Sequence, residues 1–203
     1  MKYAKMLGLA VVAAMALMAF AGAGTASAVL CKANQKPCEA KNQYPVHSTI
    51  KAHSASAVLT GSLEVTCESD VTMLEEKIEG GKLIGKITAL TWSNCKGGCS
   101  SATTNSPLPT FEDEAVGGGN GRAFIFNTSV TLKGCFFFFT CVAKATKAEL
   151  SLTGGTIGGT ASATASNVKT EVSGEGCGTA GTWNAKYTIN EVNGSKTGSI
   201  FLE

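Results

Sequence analysis

The residues of this chain best equipped for chemistry are its eight cysteines, Cys31, Cys38, Cys67, Cys95, Cys99, Cys135, Cys141 and Cys177. Thiols at short spacing serve a metal when reduced and a disulfide framework when oxidised, so the compartment decides between them. Cys95-Lys96-Gly97-Gly98-Cys99 offers two thiolates to zinc in a reducing cytosol, but an even cysteine count in an exported chain reads as disulfides. Close neighbours are the natural pairs: Cys31 with Cys38, Cys95 with Cys99, and Cys135 with Cys141, leaving Cys67 for Cys177. A second connectivity stays open. If Gly80-Gly81 is the turn of a two-residue hairpin, Glu79 faces Lys82, and the same register carries Cys67 to Asn94, next to Cys95. That arrangement pairs Cys67 with Cys95 and leaves Cys99 for Cys177.

Acid–base chemistry has few carriers. His47 and His53 are the only histidines and Asp70 and Asp113 the only aspartates, while serine and threonine are too common to single one out. No Gly-x-Ser-x-Gly elbow occurs. A hydrolase would have to assemble its site from loops, with His47 and an acid of the run Glu112-Asp113-Glu114. Glu75 and Glu76 are adjacent, and neighbours on a strand point to opposite faces, so they do not share a cleft. The 112–114 run reads first as a solvated charge cluster and second as hard oxygen ligands for calcium. Gly176-Cys177-Gly178-Thr179-Ala180-Gly181 matches a dinucleotide fingerprint in letters, yet a strand-like segment follows it where a helix is required. No cofactor is expected. Asn127-Thr128-Ser129 and Asn193-Gly194-Ser195 are glycosylation sequons by pattern alone.

Phe136-Phe137-Phe138-Phe139 stands between Cys135 and Cys141. Buried, this run is a core strand crossing between packed layers; exposed, it is an apolar contact site for a partner or a membrane. Lys2 and Lys5, the uncharged run from Met6 to Ala23, and the small residues Ala26-Ser27-Ala28 have the order of a secretory signal peptide, expected over residues 1–28 as a helix. The alternative is a retained membrane anchor. Leu30 before Cys31 does not fit lipid acylation. The chain has 17 Lys plus Arg against 15 Asp plus Glu, and the leader contributes two of the lysines and no acid, so the remainder is balanced. With Arg122 its only arginine, the chain is poorly equipped for nucleic acid.

Positioning falls to strands. Beyond the leader no long stretch has apolar residues at helical spacing, whereas Thr, Val, Ile and Gly recur in short runs between turn signals. Residues 29–203 are expected to form one all-β domain of antiparallel, β-sandwich-like or related closed sheets held by several disulfides. Residues 29–46 read as an N-terminal loop pinned by a disulfide. The glycine- and proline-rich stretch 96–121 reads as a long surface excursion. Asn193-Gly194 predicts a tight hairpin that folds Ser195–Leu202 back on the preceding strand.

Several segments together carry a resemblance: Lys5-Met6-Leu7-Gly8-Leu9-Ala10, Leu30-Cys31 with Pro37-Cys38, Val65-Thr66-Cys67, Ile87 to Trp92 running to Cys95, the Cys135 and Cys141 pair, and Cys177 before Thr182 to Tyr187. With these the chain resembles a group of secreted, cysteine-rich proteins of high-GC Gram-positive soil bacteria. The resemblance implies an exported β protein and supplies no activity. The run Phe136–Phe139 departs from the more mixed residues expected there. The expectation is therefore a secreted or envelope-associated, non-enzymatic binding or structural protein whose partner is an envelope component or another protein. A loop-built hydrolase and a membrane-active protein using the phenylalanine loop are the alternatives.

Overall fold

The computed structural model describes residues 27–203; of the expected leader, all but Ser27 and Ala28 lies outside the described residues. Twelve strands follow in order: β1 Leu30–Cys31, β2 Thr49–Thr60, β3 Glu64–Glu79, β4 Lys82–Gly97, β5 Ser101–Thr104, β6 Thr110–Gly117, β7 Asn120–Cys135, β8 Phe139–Thr153, β9 Gly155–Thr156, β10 Ser162–Ser173, β11 Ala180–Val192 and β12 Ser199–Leu202. A single 3-10 turn covers Ala40–Asn42. Among the described residues no helix is long and apolar enough to cross a membrane.

The strands form an antiparallel sheet in the order β5-β7-β6-β4-β3-β2-β11-β10-β8, and β7 also pairs with β8. That last ladder runs from Gly121↔Leu152 to Cys135↔Phe139 and joins the two ends of the sheet, which closes eight strands into a barrel. The closed sheet is all-antiparallel, as the spacing of short runs and turns suggests, and its two faces differ. Along β8, Cys141, Ala143, Ala145, Ala148 and Leu150 are buried while Lys144, Thr146, Lys147, Glu149 and Ser151 are exposed. The inside is apolar and the outside polar, the reverse of a lipid-embedded barrel.

Turn chemistry fixes the longest hairpin. Gly80 and Gly81 have φ of 58° and 80°, values that favour glycine, and Glu79 faces Lys82. Between β3 and β4 the register then shifts at three points, which bends the pair and carries Leu90 and Trp92 onto the interior side after Leu83, Gly85 and Ile87. Gly85 has to lack a side chain, because a Cβ there would collide with the ring of the fully buried Phe111. Asn193-Gly194 makes its tight turn through the Val192↔Ser195 bridge, but the chain then leaves β11. Ser199–Leu202 pairs instead with β1 and β9, and Ile200 and Leu202 enter the core at one end of the barrel.

Two further expectations are corrected. Residues 96–121 are not a surface excursion: Ser101–Thr104 and Thr110–Gly117 are wall strands, and Phe111 and Asp113 face inward from β6. Alternation within Thr110–Gly117 was hidden because its polar members outnumber its apolar ones. The 29–46 segment is largely loop, but Leu30–Cys31 pairs with β12 and so forms a short strand.

The disulfides are Cys31–Cys38, Cys67–Cys95, Cys99–Cys135 and Cys141–Cys177, and no described cysteine is free. Cys95–Cys99, Cys135–Cys141 and Cys67–Cys177 are thus not formed, nor is Cys99–Cys177. The register explains each. The β3–β4 hairpin sets Cys67 against Cys95 with Cα atoms 4.0 Å apart. Across β7 and β8, Cys135 faces Phe139 and Cys141 faces Leu132, so these two cysteines are out of step. The segment before β5 runs beside the end of β7, with Phe136 N–H donating to Gly98 O at 3.0 Å and Ser100 N–H to Lys133 O at 3.0 Å, which delivers Cys99 to Cys135. A turn closed by Cys177 N–H to Gly174 O brings Cys177 to Cys141.

Candidate functional site

Inside the barrel the wall is lined on four strands by alanine: Ala52 and Ala57 from β2, Ala102 from β5, Ala143, Ala145 and Ala148 from β8, and Ala163 from β10. An eight-stranded barrel is just wide enough for ordinary side chains to fill it. Methyl groups do not reach the axis, and a cavity of about 100 Å³ remains among them. A second cavity of about 80 Å³ continues towards β12 and shares Met73, Ile125, Leu150 and Ala163 with the first. The two adjoin through these shared residues.

Two tryptophans bound the larger cavity. Trp92 donates its Nε1–H to Thr104 Oγ1 at 2.8 Å, and Thr104 Oγ1 in turn donates to Leu90 O at 2.8 Å, which ties β5 to the wall. Trp183, 6.3 Å from Tyr187 between ring centroids, has a buried Nε1 without a partner, and so does the hydroxyl of Thr170, which lines the same cavity. Tyr187 donates to Ser69 Oγ at 3.1 Å, and burial pushes its phenol up to about 12, so it serves there as a neutral hydrogen-bonding group. Lys144, whose side chain is exposed on the outer face, and Thr170 flank a stretch where the β8–β10 ladder is interrupted: it stops at Leu150↔Ala165 and resumes at Lys144↔Glu171.

The acids sort by strand alternation. Glu75 is buried in β3, whereas Glu76 points outward and pairs with Lys86 at 2.6 Å. In the 112–114 run, Glu112 and Glu114 each lie 2.9 Å from Lys82 on the outer face, and Asp113 is buried on the inner one. The run therefore cannot converge on a calcium ion, and that expectation is set aside. Lys82 holds Glu114 below the usual carboxylate range. Burial, and secondarily the charge of Asp113, pushes Glu75 up to about 8; burial pushes Asp113 up to about 8. The two carboxyls form an acid pair in that the charge of Asp113 acts on Glu75, and sequence alternation foreshadowed the separation of Glu75 from Glu76 but not the inward place of Asp113.

Among the described residues no hydrogen bond or ion pair joins His47 to Glu112, Asp113 or Glu114. His53 meets Asp70 instead, Nδ1 to Oδ1 at 2.9 Å across β2 and β3, on the open outer face where the side chains are 36% and 63% exposed. No hydroxyl bonds to His53 there. Sulfurs of Cys99, Cys135 and Cys141 lie within 4.8 Å of one another, but all three belong to disulfides and offer no thiolate to a metal.

Phe136, Phe137 and Phe138 form the exposed tip of the β7–β8 hairpin, with Phe137 97% exposed; Phe139 is half-buried and lies 4.5 Å from Phe138 between ring centroids. The core-strand reading of this run is therefore overturned for its first three residues. The reason is backbone geometry: Phe136 and Phe137 turn with φ of 47° and 81°, and Phe138 N–H closes onto Cys135 O at 3.2 Å.

Comparison with protein-family models gave no match, and neither curated proteins nor solved structures gave one.

The acid pair generates a pH dependence. Both folded-state values lie above the unfolded ones, so the folded chain holds more protons; the stability this confers is complete below about pH 4 and is lost as pH rises towards 8 to 9. Thermal unfolding should therefore occur at a lower temperature near pH 9 than near pH 5, reflecting a stability loss on the order of a few kcal/mol, and Glu75→Gln should shrink the difference. A profile that is flat or rises over this range contradicts the pairing.

Proposed function

We propose that this chain is an exported, disulfide-stabilised, non-enzymatic binding protein whose barrel interior takes up a small apolar molecule. The observation that carries the reading is the alanine-lined cavity on the barrel axis. Native interiors are packed to crystal-like density, and an apolar void of this size costs stability unless something occupies it. Apolar cavities of about 150 Å³ in other proteins stay dry and take up benzene.

Export is supported by the basic, apolar and small-residue order of residues 1–28 and by the four disulfides, which are compatible with an extracellular location. Ala28 is fully buried and donates its N–H to Gly81 O at 2.9 Å, so cleavage after it removes one core methyl and one backbone hydrogen bond.

Benzene titrated into the oxidised protein should bind, and Ala145→Leu should weaken it at least tenfold, a loss of about 1.4 kcal/mol, while leaving the unfolding temperature unchanged or higher. If the space is already efficiently packed, the larger side chain overfills it and destabilises the fold by about 1–3 kcal/mol without changing benzene binding, which refutes the reading.

A second contact is favoured by the exposure of Phe137 and Phe138 at a tip braced by two disulfides. We propose that it adsorbs to lipid. Joint replacement Phe137→Ser and Phe138→Ser should abolish co-sedimentation with phosphatidylglycerol vesicles and leave the unfolding temperature within about 2 °C, as for ordinary surface positions. A collapse of stability would assign the rings to the fold instead.

A further inference from the structure

We propose that removal of residues 1–28 builds a structural ion pair: hydrolysis of the Ala28–Val29 bond leaves an α-ammonium on Val29 that stays bonded to Glu203 and is balanced by the buried Glu203 carboxylate. The proposal rests on the export reading above and adds to it a role for the cleaved end.

The bonds that place this nitrogen are already in the fold. Ala28 N–H donates to Gly81 O at 2.9 Å, Val29 N–H donates to Glu203 O at 2.9 Å, and Glu203 N–H donates back to Val29 O at 3.1 Å. Val29 and Glu203 thus exchange both main-chain bonds and extend the β1–β12 ladder one pair beyond Leu30↔Leu202. Side chains of such a pair lie on one face of the ladder, with Cβ atoms about 5 Å apart. The nitrogen that cleavage frees is therefore fixed against Glu203 beforehand, by a bond that an ammonium can keep.

This end of the barrel holds buried acids without a buried base. Among the described residues Glu75, Asp113 and Glu203 are buried, and no lysine, arginine or histidine is buried with them. Burial keeps Glu75 and Asp113 protonated at neutral pH. Glu203 is 5% exposed, and its Oε1 is buried without a hydrogen-bond partner. Leaving such an atom unpaired is costly, and an ammonium alongside a carboxyl favours its ionised form.

Cleavage supplies the missing cation. Water adds across the Ala28–Val29 peptide bond: its oxygen leaves with Ala28 as a carboxylate, and its protons complete an ammonium on the Val29 nitrogen. That nitrogen then has three donors where the amide had one. One keeps Glu203 O, a second serves the carboxylate of the same residue, and the third is left for solvent where Ala28 has gone. In the uncleaved chain the nitrogen is a neutral amide, and Glu203 Oε1 stays unpaired.

The test starts from the full-length precursor, expressed with export and purified oxidised from outside the cells. Intact mass and N-terminal sequencing should place the first residue at Val29. Its α-ammonium, followed by NMR over a pH series, should titrate about one pH unit or more above the ordinary value of about 8. Acylation of Val29 by an N-hydroxysuccinimide ester should be slower by about tenfold or more than in the same protein reduced and unfolded, in line with that shift. Glu203→Gln should return both readings to ordinary; if it fails to fold, Glu203→Asp, which keeps the carboxylate, should retain part of the shift. A chain that begins at Val29 with an ordinary titration and fast acylation overturns the proposal and leaves the export reading standing. A raised value that neither Glu203 variant moves also overturns it. A first residue other than Val29 overturns the proposal and the cleavage site together, and a leader retained inside the cell overturns the export reading as well.

Discussion

Everything in this molecule depends on the ladder between β7 and β8. Without it the strands are an open sheet with two edges, exposed to further pairing. With it, Gly121 to Cys135 is joined to Phe139 to Leu152, and eight strands enclose a fixed volume, with β5 paired to β7 alone. Closure sets how much space there is, and the side chains that point inward decide whether it is filled. Leucine, valine and phenylalanine fill it near Leu83, Phe111 and Leu132, whereas the alanines of β2, β8 and β10 do not. The cavity is the joint result of a closed wall and small residues on one side of it.

The two ends of the barrel are closed by different means. Cys67–Cys95, Cys99–Cys135 and Cys141–Cys177 gather at one end within a single apolar cluster. Each of the last two closes a loop of 36 residues, worth about 4 kcal/mol if the gain is the entropy lost by the unfolded chain. They also hold the Phe136–Phe138 tip in its exposed turn. The other end is covered by β1, β9 and β12, with Tyr44 donating to Ser199 O at 2.8 Å and Leu202 packed over Gly121. Glu75 and Asp113 lie towards this covered end, and burial keeps them protonated at neutral pH.

Strand class, antiparallel pairing and the Gly80-Gly81 hairpin were legible in the residues because they follow from local alternation and turn chemistry. The disulfide pairs were only partly legible. Cys31 and Cys38 close a short loop, and Cys67 with Cys95 followed from the hairpin register as one of two alternatives, but the remaining pairs depend on which strands end side by side after the sheet closes. The inward position of Asp113 was hidden by the glycines and prolines around it, which mimic a loop. The cavity was the least legible feature: whether Ala145 and Thr170 face the same space depends on the closure and on bulges such as that between Ala165 and Val168, neither of which a linear pattern reveals.

Binding inside the barrel requires an accessible apolar space beside Trp183. Crystals pressurised with xenon test for it directly, because xenon enters dry cavities of this kind. A xenon peak among Ala143, Ala145 and Trp183, with the wall strands unmoved, is the expected result. Side chains collapsed into that space, with no xenon bound there, would contradict it.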